Sequence, residues 1–174
     1  LGHDKVAILD GGYRAWTADP SNPIETGAAE PPAPKIFEAS LRPELLVDSA
    51  AVEAALNDDG TVLLDARPDG QFQGKAKHDA ARAPGHIPGA TQLNQGKTFD
   101  EKTGKLIDVA KLEALLPAGL EKDDDKEVFS YCNTGHWASV NWFVLSEVLG
   151  KKNVKLYDGS MVDWTKDPNR PLEN

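Results

Sequence analysis

The chain has 174 residues, of which 40% are hydrophobic and 27% charged, with a formal net charge of −9 at pH 7. That length and mix suit one globular domain with a sizeable core and some additional chain. The acid excess repels phosphate backbones and anionic lipid surfaces, and no run of about 18 apolar residues exists, so neither nucleic acid nor a membrane is expected as a partner. Residues 5–9 (KVAIL) predict a buried strand, and Asp10-Gly11-Gly12 a turn into a short helix through Trp16.

The same pattern returns near the end of the chain. Residues 1–25 align without gaps to residues 149–173, with identical pairs that include Val6/Val154, Asp10/Asp158, Gly11/Gly159, Trp16/Trp164, Thr17/Thr165, Pro20/Pro168 and Pro23/Pro171. The second copy closes a domain of ordinary size. The expectation is that 1–26 is the C-terminal end of a preceding, similar domain, 27–46 a linker, and 47–174 a complete domain. A recurrent strand–turn–helix without duplication is the alternative.

Residues 18–46 are rich in Pro, Ala, Gly and Glu and read as a linker or wrapping segment, with a short strand over 36–41. Asp48 or Ser49 caps a helix over 50–58. TVLLDA (61–66), between Gly60 and Pro68, reads as a buried strand. Residues 68–105 are mostly irregular, with GHIPGA (85–90) as a turn, and 109–116 should be helical. EVFSY (127–131) is the next strand and ends at Cys132, followed by a loop over 132–137. A mostly buried helix over 138–149 ends at Gly150, NVKLY (153–157) is the last strand, and Gly159-Ser160 opens a final short helix. Alternating strands and helices argue for an α/β fold with a parallel sheet. Chemistry in such sheets sits beyond the carboxyl ends of the strands, where Asp65-Ala66-Arg67, Cys132 and Asp158-Gly159 all fall.

Cys132 is the single cysteine, so no internal disulfide is available and the compartment stays open. It lies between a buried strand and a helix N-terminus, with Gly135 in the loop. Successive N–H groups there can form an anion nest and, with the helix dipole, favour the thiolate. His136 is a candidate for added positive charge or a donor. A thiolate in an anion cradle suits attack on sulfur and retention of the resulting persulfide anion. The alternative is an inert core thiol.

The loop Cys132-Asn133-Thr134-Gly135-His136-Trp137-Ala138 resembles the active-site loop of the rhodanese and mercaptopyruvate sulfurtransferase family. Asp65-Ala66-Arg67, Gly85-His86-Ile87-Pro88-Gly89-Ala90 and Asp158-Gly159-Ser160 with Trp164 resemble three further elements of that family, in the same order. Asp10-Gly11-Gly12 with Trp16 resembles the closing element of a preceding domain. The resemblance implies a rhodanese-like α/β domain, with a parallel sheet flanked by helices on both faces. It implies a ping-pong reaction in which Cys132 takes sulfane sulfur from a small anionic donor such as thiosulfate or mercaptopyruvate and passes it to cyanide or another thiophilic acceptor, the amides of 133–137 holding the persulfide. No cofactor is implied, and the absent N-terminal rhodanese-like domain is the expected partner.

Under this resemblance Arg67 either contacts substrate or pairs with Asp65, His86 fixes its turn, and Trp137 and Trp142 serve packing. Two positions depart from the family. Gln71 stands where a second arginine is frequent, and Thr134 where thiosulfate-specific members carry a basic residue; the loop does not show the Gly-Ser of the mercaptopyruvate type either, and His136 and Arg82 are candidate substitutes for the missing charge. A cysteine phosphatase would need arginine at 138, where Ala138 stands. A binding or regulatory module without turnover is the main rival. One cysteine and four scattered histidines show no metal-ligand spacing.

Overall fold

The computed structural model describes residues 2–3, 5–121 and 125–174. Two apolar runs bounded by turn residues form its centre. β1 (Thr61–Asp65) and β3 (Glu127–Tyr131) pair in parallel along their whole length, from Thr61 opposite Glu127 to Asp65 opposite Tyr131. β2 (Thr91–Gln92) flanks β1 and β4 (Val154–Leu156) flanks β3, also in parallel, giving the order β2-β1-β3-β4.

Side chains alternate between the two faces of a strand. On one face Leu63, Phe129 and Tyr131 pack with Val52 and Ala55 of α2 (Ser49–Ala55) and with Met161 and Trp164 of α6 (Ser160–Trp164). On the other, Ser130 donates its hydroxyl to the carbonyl of Ala138 in α5 (His136–Phe143) at 2.9 Å. Helices therefore cover both faces. Asp48 caps α2 through the amide of Ala51 at 2.9 Å, and Asp108 caps α4 (Val109–Ala114) through Lys111 at 3.0 Å. Such caps are worth about 1 kcal/mol each.

The helix expected over 138–149 begins two residues earlier, as α5, and continues as a π-helical turn over Val144–Val148 before Gly150 ends it at φ 76°. The hydrophobic pattern carries no mark of that change in winding, because both windings keep Val144 and Leu145 buried.

The chain divides into two compact units, Leu1–Arg42 with Phe99–Leu106, and Pro43–Thr98 with Ile107–Asn174. The second holds the sheet. The first holds α1 (Gly12–Thr17), whose preceding Asp10 accepts the amide of Leu106 at 2.9 Å. The strand expected over 5–9 is not formed there, and neither is the one over 36–41. A strand exists only through its ladder partners; these segments have the composition of strands but no neighbouring backbone to pair with, and Ile36 is 96% exposed. Among the described residues no helix is long and apolar enough to cross a membrane.

Candidate active site

At the carboxyl end of β1, Asp65 and Arg67 form a buried pair. The Arg67 guanidinium donates to both Asp65 oxygens, at 3.0 Å through Nε and 2.6 Å through Nη2, and Nη2 also reaches the carbonyl of Gly85 at 2.8 Å. Burial works against the charge on Arg67, but the hydrogen bond and charge of Asp65 outweigh it and raise its pKa above the ordinary value. Through Nε and Nη2, Arg67 ties the first strand end to the GHIPGA turn, and the ion pair with Asp65, one of the two roles open to it, is formed. The same turn is closed by His86: its Nδ1 lies 2.8 Å from the carbonyl of Phe72, its ring stacks on Phe72 at 4.0 Å, and its backbone exchanges hydrogen bonds with Glu173. Gly85, at φ 104°, has the Glu173 carbonyl where a Cβ would stand.

Tyr131 ends β3 beside this pair. Its hydroxyl accepts the amide of Ile87 at 3.2 Å, and burial, then the charge of Asp65, pushes its pKa well above the usual phenol value. The next residue is Cys132, 1% exposed, in contact with Ala66 and Ala138 and bordered by Trp137 and Leu156. The loop then turns at Gly135, φ 87°, where any Cβ would overlap the carboxylate of Asp158. Two requirements, a left-handed backbone and close approach, make this position glycine. Thr134 and His136 are exposed and lie within 3.4 Å of each other, Oγ1 to Nδ1.

Among the described residues, none of the amides from Asn133 to Ala138 donates to a backbone or side-chain acceptor, whereas Ser139 already bonds Gly135 within the helix. These are the unsatisfied donors of the α5 N-terminus, at its positive dipole end. The carbonyls on the same stretch face the other way: that of Cys132 accepts the amide of Met161 at 3.1 Å, and that of Asn133 the amide of Val162 at 3.0 Å. The site is thus a buried thiol walled by Ala66, Ala138, Trp137 and Leu156 and followed along the chain by a row of N–H groups without a protein acceptor, an arrangement suited to binding an anion beside it.

Two contacts at this site join residues that sequence spacing left unrelated. Asn133, 3% exposed, donates from Nδ2 to Oε1 of Gln71 at 2.8 Å, while its Oδ1 is buried without a partner. Ser160 accepts the amide of Cys132 at Oγ, 3.0 Å, and donates to the carbonyl of Tyr157 at 2.9 Å, with its own backbone at φ 50°. A left-handed non-glycine residue of this kind costs about 1 kcal/mol. Its sequence signal was a serine in place of the second glycine of the repeated turn. Arg82 is exposed; its amide donates to Oγ1 of Thr165 at 3.0 Å and its guanidinium to the carbonyl of Lys166 at 3.4 Å. Trp142 donates to the carbonyl of Val154 at 3.0 Å, a packing role. A recess of about 590 Å³, lined in part by Asp58, Thr61, Pro88 and Lys126, opens at the amino ends of β1 and β3, the opposite end of the sheet from Cys132.

Comparison with known proteins gives a consistent picture. The family model described as "Rhodanese-like domain" matches residues 48–167. A Mycobacterium tuberculosis protein named "Putative thiosulfate sulfurtransferase" is 34% identical over 186 residues, which cover 99% of this chain and 62% of the relative. A Pseudomonas aeruginosa protein named "Probable 3-mercaptopyruvate sulfurtransferase" is 34% identical over 172 residues, covering 97% of this chain and 58% of the relative. The chain therefore spans about three-fifths of the length of these curated relatives. Among solved structures, an EanB variant in complex with ergothioneine superposes with a TM-score of 0.78 over 98% of this chain and 42% of that one, at 24% identity, a likeness of fold.

Proposed function

This chain belongs to the rhodanese-like family, and on that premise we propose that it is a sulfurtransferase that carries sulfane sulfur as a persulfide on Cys132. The observation that carries this reading is the row of unpaired amides from Asn133 to Ala138 beginning one residue after a thiol. The Cys132 thiolate attacks the donor's transferable sulfur; with mercaptopyruvate, the C–S bond breaks and the electron pair leaves on the enolate of pyruvate. With thiosulfate, the S–S bond breaks, sulfite leaves with the electron pair, and the enzyme keeps a persulfide of unchanged charge. A thiophilic acceptor such as cyanide then takes the outer sulfur and returns the thiolate. The loop amides hold the negative sulfur in both halves of the cycle, and the alanine and tryptophan wall limits competing water.

Thiosulfate and 3-mercaptopyruvate are the two donor candidates. Arg67 spends Nε and Nη2 on Asp65 and Gly85, and Gln71 offers a neutral amide to Asn133 in place of a cation. With little positive charge added at the loop, backbone amides carry most of the donor's binding, which favours the singly charged mercaptopyruvate over the doubly charged thiosulfate. We further infer that the exposed apolar residues Val6, Ile8 and Tyr13 close the core of a second rhodanese-like body.

Intact mass after incubation with each donor tests the reading. The expected result is a gain of one sulfur on the wild-type chain and none on Cys132→Ser. No gain with either donor, or sulfur transfer retained in Cys132→Ser, would sink it. The second reading, a binding module without turnover, is favoured by the burial of Cys132, and the same measurement separates the two.

A further inference from the structure

The nucleophile loop is aimed by contacts outside it. In a trans peptide unit the C=O and the following N–H point in opposite directions. The carbonyl of Cys132 is bound by the amide of Met161, and that of Asn133 by the amide of Val162, both at the start of α6. The N–H groups of Asn133 and Thr134 must then point away from α6. The preceding peptide unit is fixed at both ends: the carbonyl of Tyr131 accepts the amide of Ala66 at 2.9 Å, and the amide of Cys132 donates to Oγ of Ser160 at 3.0 Å. Three successive peptide planes around the sulfur are set in this way, and the only side chain among the α6 anchors is that of Ser160.

Nothing in the turn itself requires a serine there. The equivalent position in the first repeat is Gly12, with φ 55° against 50° for Ser160, so a glycine holds this left-handed position without a side chain and without strain, while the residue before it differs, φ 81° at Gly11 and −57° at Gly159. Nor does Ser160 cap its own helix, since α6 has no side-chain cap bond. The hydroxyl is fully used, donating to the Tyr157 carbonyl and accepting from Cys132. A strained residue whose hydroxyl is committed to the nucleophile's own amide has its function at that amide.

We propose that Ser160 is the positioning residue of the Cys132 loop, its hydroxyl holding the first of three peptide planes so that the amides after the sulfur stay free for an anion. The proposal rests on the reading of Cys132 as the sulfur carrier, but its test does not need sulfur transfer. The pH titration of thiolate ultraviolet absorbance, referenced to Cys132→Ser, is measured for the full chain and for Ser160→Gly and Ser160→Thr, alongside urea denaturation. Ser160→Gly removes both strain and hydroxyl. It is expected to be at least as stable as the wild type, with the thiolate midpoint displaced upward by a change equivalent to about fivefold in the ionisation constant. Ser160→Thr restores the hydroxyl on a residue that tolerates this backbone poorly; it is expected to be less stable yet to titrate at the wild-type midpoint. A Ser160→Gly chain that titrates as the wild type, or one whose stability falls together with its titration, would overturn the proposal. Loss of sulfur loading in the wild type would instead sink the function and leave the titration result standing.

Discussion

The two copies of the repeated element make nearly the same local bonds in opposite surroundings. In the first, Trp16 donates from Nε1 to the carbonyl of Pro23 at 3.0 Å; in the second, Trp164 donates to Pro171 at 3.0 Å. Thr17 bonds the carbonyl of Tyr13 at 3.0 Å, and Thr165 that of Met161 at 2.7 Å. Ala15 reaches the carbonyl of Gly11, and Asp163 that of Gly159. Yet Val6 is 68% exposed where Val154 is 2%, and Trp16 is 36% exposed where Trp164 is fully buried. A stretch of about twenty residues thus specifies its own short helix and indole clasp, while the glycine that opens the helix differs, φ 81° at Gly11 and −57° at Gly159. What it cannot supply is the sheet against which those apolar groups become a core.

The sharpest way to break this comparison is to truncate both tryptophans. Trp164→Ala should cost about 3–5 kcal/mol, the range for emptying a buried aromatic site, and Trp16→Ala under about 1 kcal/mol, both by urea denaturation. Equal losses would mean that the first copy is as well packed as the second. The neighbouring pair extends the test at smaller scale: Met161→Ala is expected to cost roughly 2–4 kcal/mol and Tyr13→Ala about zero. With the proposed second rhodanese-like body supplied, Tyr13→Ala should rise toward the Met161 value, which would sharpen that proposal.

The third expectation concerns a carboxylate present only in the buried copy, since Asp163 aligns with Ala15. Burial raises the Asp163 pKa, but hydrogen bonds from Tyr157, at 2.8 Å, and from Lys166, at 3.3 Å, outweigh it and hold the carboxyl below its ordinary value of 3.8. A depressed carboxyl contributes stability that is present above the unfolded value and lost as pH falls through the folded one. Asp163→Asn should therefore lose about 1 kcal/mol near neutral pH and show a flatter acid limb below about pH 4. Denaturation at several pH values would refute this if the acid limb were unchanged. The smallest effect is expected at Gly12, where φ is 55° and space for a side chain is open. Gly12→Ala should loosen α1 locally, seen as faster amide exchange over 12–17, while global stability moves by less than about 0.5 kcal/mol.

Much of the second unit was legible before any coordinates. β3 ends at Tyr131 as read, because a run of five holding Val128, Phe129 and Tyr131 between a charged stretch and a polar, glycine-containing loop has few other solutions. Asp48 and the turn at Gly85 were legible because capping and left-handed turns are local demands. The same reasoning misplaced strands at 5–9 and 36–41, where composition was right and a partner was missing. At the site, Cys132 and its loop could be picked out by type and spacing. The contact of Asn133 with Gln71, 62 residues away, could not, and neither could the fate of Arg67, whose two roles differ only in which groups lie within 3 Å of its guanidinium.

By itself the sequence determined the alternation of strands and helices, the turns that need glycine, the repeated clasp and the thiol proposed as nucleophile, because each depends on residues only a few positions apart. Tertiary structure alone decided which copy is core, that Arg67 is spent on Asp65, and that Ser160 anchors the amide of Cys132 across 28 residues. Burial and long-range hydrogen bonds depend on what lies across a gap in space, and the order of residues along a chain does not record that distance.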